Sequence, residues 1–314
     1  MSLVAALLAD SDPSGPVSIH VLLTDFQTET ASLIADGVIA SIALGYLFGV
    51  RALAKRKVSW PRWQSVSFLL GMLSTFIAIG SGLAAYDDSN LSMHVVQHML
   101  LMMVGPPLLA LGRPITLVAQ ASPRKVQTTV LKIVNSRAAV VLTSPLAWVL
   151  YYGSMWVYFV TPIYGYANVH VAFHDGSHLY FTIIGYLFWQ SIVGLDGSRH
   201  RVSHPMRLVA LIIGAPVEAF LGLTIMSMAK PIAPGYSLGD THAGGSVFWI
   251  TSMLIMFVAA VIAVHQWVQS ENRKAARLDA EIATNAEFAL SPEEEAELRR
   301  IASPGPPAAR DSRR

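Results

Sequence analysis

The chain of 314 residues contains no cysteine. That excludes disulfides, thiolate metal ligands, iron–sulfur clusters and cysteine nucleophiles together, so any metal must be held by His, Met, carboxylate or backbone. Charge is scarce too. Asp, Glu, Lys and Arg make up 13% of the residues against 53% hydrophobic, which is too apolar for a soluble globule of this length. The formal net charge is only +2, and nothing in the sequence makes a case for nucleic acid. Enzyme motifs are also missing: there is no nucleotide-binding loop, nucleophile elbow or carboxylate–histidine di-iron pattern. The run His94-Val-Val-Gln-His98 has the spacing of a zinc-protease helix, but Val95 stands where the glutamate base would be. The first residues, Met1 to Ala9, lack a basic flank and are short for a cleavable signal, so the N-terminus is expected to be retained.

Long apolar windows are abundant. A hydrocarbon core about 30 Å thick takes roughly 20 apolar residues in helical form. Seven windows meet that length, at Ser32–Ala54, Trp63–Ala84, Leu91–Leu111, Ala138–Thr161, Val171–Leu195, Arg207–Met228 and Gly245–Val268. The expected fold is all-α, a polytopic seven-helix membrane bundle, and no internal repeat stands out. Basic residues cluster in alternate loops: Lys55, Arg56, Lys57 and Arg62; then Arg113, Arg124, Lys125, Lys132 and Arg137; then Arg199 and Arg201. The other loops hold almost none, Lys230 excepted. The positive-inside rule therefore predicts an N-terminus outside and a C-terminus in the cytoplasm. Residues 1–30 read as an extracytoplasmic segment, 31–268 as the membrane domain and 269–314 as a charged cytoplasmic tail. In that tail Ser291-Pro-Glu-Glu predicts a short helix, and the last dozen residues read as disordered. Gly105-Pro106-Pro107 should break the third span, and Pro216 should kink the sixth. Tyr151, Tyr152, Trp156 and Tyr158 on the fourth read as an interfacial belt.

Histidine is concentrated where hydrocarbon tolerates it least. His94 and His98 open the third span, and His170, His174 and His178 open the fifth at four-residue steps. Residues at i and i+4 share a helical face, and the predicted topology sets both groups at the outer side, which makes a metal site the leading reading. Five histidines cannot all bind one ion. Two from the fifth span would meet the His94/His98 pair, with the third in another site or on the way in. Met102 continues the His98 face, and thioether with imidazole suits Cu(I), although imidazole alone also suits zinc. Each of Met93, Met99, Met102 and Met103 has ordinary packing as its competing role. His242, in the outer loop from Gly239, could join from above; His20 and the acids Asp87, Asp88, Asp175 and Asp240 lie on the same side. Glu218, mid-span beside Pro216, is either a relay for protons or metal or a helix-pairing hydrogen bond. Gln97 carries the same ambiguity. His200, His204 and His265 read as interfacial.

The run from Met93 through Gly105-Pro-Pro to Arg113-Pro resembles the signature of the CtaG-type cytochrome c oxidase assembly factors of bacteria. The seven spans, the tyrosine-rich fourth, the His170/His174/His178 series and Glu218 are similar to that family too, over about Ala31 to Trp267. The resemblance implies a non-enzymatic, multi-pass protein of the bacterial cell membrane. It would contact lipid, bind copper and pass it to a subunit of a haem–copper oxidase, with no pattern that fixes an oligomeric state. Two alternatives stay open on the residues: a membrane cytochrome with bis-histidine haem ligation, and a metal-dependent membrane enzyme using Asp175 or Glu218 as base.

Overall fold

The computed structural model describes residues 17, 19–24, 26–86, 89–142, 145–193, 202–287 and 291–302. Met1 to Ala9, Asp87, Asp88, Leu195, Arg199, His200, Arg201 and the last dozen residues lie outside them. The described residues carry helices and no strand. A short helix α1 (Ile19–Thr24) precedes α2 (Thr30–Lys55) and α3 (Arg62–Gly80), and a 3₁₀ turn (Ala84–Tyr86) leads to α4 (Leu91–Met99). A π-helical turn (Leu100–Val104) joins α4 to α5 (Gly105–Leu111), followed by α6 (Pro114–Ala121), α7 (Arg124–Val134) and α8 (Arg137–Leu142). Then come α9 (Pro145–Val160), α10 (Ile163–Ala167), α11 (Val171–Val193), α12 (His204–Met226), α13 (Leu238–Glu287) and α14 (Pro292–Ala302). The chain divides into two compact units, Met1–Val264 and His265–Arg314.

Among the described residues five stretches are long and apolar enough to cross a membrane: Thr30–Lys55, Arg62–Tyr86, Leu91–Ala121, His204–Met226 and Leu238–Thr284. Their exposed faces are apolar, with Leu33, Ile34, Val38 and Phe48 on α2 and Ile250, Leu254 and Phe257 on α13, surfaces that suit lipid rather than water. Two expected spans fall short of those five. The window Ala138–Thr161 is divided between α8 and α9, and α9 has only 16 residues. Helix α11 has the length, at 23 residues, but His174, Asp175, His178 and Gln190 lower its hydropathy.

The expected break at Gly105-Pro106-Pro107 is resolved one turn earlier. Neither proline ring can donate to the ladder, and the helix absorbs the mismatch by widening through Leu100–Val104, where the Gly105 N–H donates to the Leu100 carbonyl. Gly105 is required there, because a Cβ would lie 2.9 Å from that oxygen. The aromatics of α9 differ from the belt expected of them. Tyr151, Tyr152 and Tyr158 are buried, and the Tyr152 and Tyr158 hydroxyls and the Trp156 N–H find partners inside the bundle, while the Tyr151 ring stacks on Phe188. Tyr152 donates to the Ala210 carbonyl (3.3 Å), Trp156 to the Val217 carbonyl (3.1 Å), and Tyr158 shares a hydrogen bond with Ser177 (2.9 Å).

Two cores fill the first unit. One joins Leu91, Val95, Met99 and Met102 to Phe159, Phe181, Phe188 and Phe248; the other packs Tyr46, Leu53, Phe68, Leu109 and Leu117 between α2, α3, α5 and α6. In the second unit, α14 starts at the expected position with a capping box. The Ser291 N–H donates to the Glu294 carboxylate (2.8 Å), and the Ser291 hydroxyl receives the Glu294 N–H (3.3 Å).

Helix α3 approaches α5 most closely at Gly71, where a Cβ would sit 2.8 Å from the Leu109 side chain and 2.9 Å from its backbone nitrogen. Gly71→Ala is therefore expected to lower stability by about 1–3 kcal/mol, while Gly37→Ala, with nothing within 4 Å, leaves it unchanged or slightly raised. Thermal scans of the purified protein in detergent measure both. At the other end of the chain, the Ser291 N–H and then its hydroxyl hold the Glu294 carboxyl below the ordinary 4.5. A depressed value stabilises the helix start above the unfolded-state value, and that contribution fades as pH falls through the folded one. Secondary chemical shifts of α14 should thus report fraying of its first turn on acidification, and Glu294→Gln should fray it at neutral pH.

Candidate metal centre

Helix α4 begins because Asn90, in extended conformation, accepts the Met93 N–H on its side-chain oxygen (3.1 Å). That start makes His94 the fourth residue of the helix and His98 the eighth. Helix α11 begins at Val171, so His174 and His178 are likewise its fourth and eighth residues. The two pairs meet at matching heights. Ring centroids lie 5.1 Å apart for His94 and His174, 5.8 Å for His94 and His178, 5.1 Å for His98 and His178, and 4.3 Å for His174 and His178. All four imidazoles are buried.

His94, His174 and His178 each present a ring nitrogen, and the three nitrogens lie within 4.8 Å of one another. An ion bonded to imidazole at about 2.0–2.1 Å holds its nitrogens at most about 4.2 Å apart, so small ring rotations close the set. His98 backs it: its Nε2 is 2.8 Å from Nε2 of His94, a hydrogen bond that metal binding at the latter nitrogen would exchange for coordination. The fold holds these groups at a cost. His98 Nδ1 and His178 Nε2 are buried with no hydrogen-bond partner among the described residues, and such a group costs about 1–3 kcal/mol. The surroundings are aromatic. Tyr158, Phe159 and Phe181 set ring edges or faces against His98, and Tyr164 does the same to His94 while donating to the Tyr236 hydroxyl (2.9 Å).

The three-histidine set does not include His170, His242 or Glu218, and the other residues singled out in the sequence have these surroundings. His170 precedes α11, so the four-residue rhythm does not carry it onto the histidine face. It is exposed, stacked on Tyr166 at 3.8 Å, with its Nδ1 2.8 Å from the Tyr166 carbonyl. Met102 is fully buried in the π-helical turn, its carbonyl accepting the Trp189 N–H (2.8 Å). His242 is half-buried, with Nε2 3.0 Å from the Met228 carbonyl. Glu218 is buried on α12 beside Tyr151 and Tyr152, and neither of its oxygens has a hydrogen bond of ordinary geometry. It is not part of the imidazole group. Gln97 donates to the Ala78 carbonyl (2.8 Å) and so pins α4 to α3.

Sequence reasoning missed Gln27 and Glu29, which line a pocket together with Gln97, Asp175, His174 and His178. They precede the first span and share no helical period with the histidines, so no local pattern pointed to them.

Residues 44–270, which contain every histidine of the cluster, match the family model described as cytochrome c oxidase caa3 assembly factor (Caa3_CtaG). The chain is 30% identical over 287 residues to the uncharacterized proteins Mb0105 of Mycobacterium bovis and MT0111 of Mycobacterium tuberculosis, covering 84% of its own length and 42% of theirs. It is 27% identical over 263 residues to the uncharacterized protein ML1998 of Mycobacterium leprae, covering 76% of its own length and 39% of the relative's. The chain thus spans about two fifths of the curated relatives it matches. No solved structure matches it. A multi-pass, all-helical protein of the bacterial cell membrane with a buried three-histidine cluster able to hold a metal, this chain belongs to the CtaG family of cytochrome c oxidase caa3 assembly factors.

Proposed function

We propose that the protein binds Cu(I) at His94, His174 and His178 and delivers it, without catalysing a reaction of its own, to a subunit of a haem–copper oxidase in the same membrane. One observation carries this reading: three imidazoles from two helices, buried and with ligand atoms within 4.8 Å, in a family of oxidase assembly factors. His98 is the supporting partner of His94, and the buried Met102 and Glu218 are auxiliary residues of the bundle interior. His170 and His242 belong to the outer surface on this reading. The site contains no carboxylate, which suits copper or zinc over hard cations, and a three-coordinate imidazole site in aromatic surroundings suits a monovalent ion that crosses without water.

The topology that goes with this reading has seven spans, the five long apolar stretches together with α9 and α11. The basic residues Lys55 to Arg62 and Arg113 to Arg137 lie inside, the N-terminus outside and residues 269–314 in the cytoplasm. It sets the first turns of α4 and α11 toward the outer face, where lipid surrounds the bundle and an oxidase subunit can dock.

Haem is the weaker alternative on packing grounds. The histidine rings lie centroid to centroid at 4.3–5.8 Å, in contact with one another, and a porphyrin between α4 and α11 would need them driven apart. An enzyme would need an acid or base at the ion, and Glu218 stands outside the group.

Purified protein should bind one Cu(I), measured by competition with a chromophoric chelator. His94→Ala, His174→Ala or His178→Ala should each weaken binding by more than about 100-fold, beyond the loss typical of an outer-shell partner. His170→Ala should change it by less than about threefold. Wild-type protein that binds no Cu(I), or a His174→Ala variant with unaltered affinity, overturns the site. A reduced-minus-oxidised spectrum of the same sample should contain no haem band.

A further inference from the structure

We infer that the polar pocket between the segment preceding α2 and the first turns of α11 is the port through which a metal cation reaches the buried histidines, with Glu29 and Asp175 as the carboxylates it meets first. The inference rests on the histidine cluster as destination and adds the route. The pocket joins residues of different burial. Asp175 is exposed and Glu29 half-buried, whereas Gln97, His174 and His178 are at most 5% exposed. The approach is therefore graded from carboxylate oxygen to amide oxygen to imidazole nitrogen, from water inward.

Two residues that line this pocket carry a buried atom with no hydrogen-bond partner among the described residues: Oε1 of Gln97 and Nε2 of His178. The Gln97 amide nitrogen is held by the Ala78 carbonyl at 2.8 Å, which fixes the side chain and leaves its oxygen to face a visitor. An unpartnered carbonyl-type oxygen and an unpartnered imidazole nitrogen lining one pocket form a donor set for a cation in transit. The outer wall is held in place as well. The Gln27 N–H donates to the Gly80 carbonyl (3.1 Å), and Phe26 stacks on Phe76, so the segment that carries Glu29 is anchored to α3.

Among the described residues, aromatic rings lie against other sides of the cluster. Tyr158, Phe159 and Phe181 cover His98, and Tyr164 covers His94. The larger pocket beside Tyr158 and Phe181 is lined by Val157, Ile163, Phe173 and other mainly apolar groups, and it offers a cation no charged ligand. A cation near two carboxylates at the mouth is concentrated there by their field, an effect that raises loading rates and weakens with salt.

The test is a kinetic one on the full-length protein in detergent, without oxygen. Cu(I) is supplied as its tetrakis-acetonitrile cation, loading is followed by fluorescence quenching, and unloading by challenge with a chelator. The double variant Glu29→Gln/Asp175→Asn should slow loading and unloading together by about five- to tenfold, leave the equilibrium affinity within twofold of wild type, and lose the salt dependence of loading. Ser32→Phe, which narrows the pocket without removing a charge, should slow both rates as well, and Asp240→Asn, outside the pocket, should slow neither. Wild-type loading with unaltered rates in both pocket variants overturns the port alone. So does an affinity that falls in step with the rate, since the carboxylates would then be ligands of the final site. Wild-type protein that takes up no Cu(I) at all overturns the histidine reading, and the port with it.

Discussion

The fold depends on putting four imidazoles from two helices into contact inside an apolar bundle. A polar ring removed from water is expensive unless something compensates it, and here the compensation within the protein is partial. His94 and His98 satisfy each other at one nitrogen, while His98 Nδ1 and His178 Nε2 go without. A packing solution designed for stability alone would replace these rings with leucine or phenylalanine. Three of them, His94, His174 and His178, bring ring nitrogens within 4.8 Å of one another, a set that could hold a metal ion.

The rest of the bundle serves that juxtaposition. For α11 to approach the α4–α5 segment closely, it presents Gly185 to the π-helical turn, where a Cβ would stand 3.0 Å from the Met102 carbonyl and 3.2 Å from the Pro106 ring. A few residues further on, the Trp189 N–H donates to that same carbonyl. The widened turn and the glycine opposite it therefore register the two histidine helices. Pro106 and Pro107, which look like a defect in a membrane span, are the cause of the widening, and the Pro106 ring is part of the surface that α11 packs against.

Glu218 marks a second polar interior. It sits on α12 just beyond Pro216, among Tyr151 and Tyr152, and the Tyr152 hydroxyl occupies the space that any side chain at Gly214 would claim. The carboxyl and the histidines thus lie in one aromatic interior without sharing a ligand position. Such a residue is expensive in a membrane unless it is paired or protonated.

The helical class, the membrane setting, the start of α14 and the pairing of His94 with His98 and of His174 with His178 were legible because each rests on local composition or on a period of 3.6 residues. So was the likeness to the assembly factors, carried by the contiguous run around Gly105-Pro106-Pro107. Tertiary structure alone decided the rest. His170 continues the spacing but falls before the first helical residue, so its ring leaves the face. The tyrosines of α9 look interfacial by composition, yet they turn inward, where the Ala210 carbonyl accepts the Tyr152 hydroxyl and Tyr158 shares a hydrogen bond with Ser177. Gln27 and Glu29 reach the histidine pocket from a distant part of the chain. A one-dimensional pattern specifies which side of its own helix a residue occupies; which other helix that side meets, and how deeply, is settled only when helices pack.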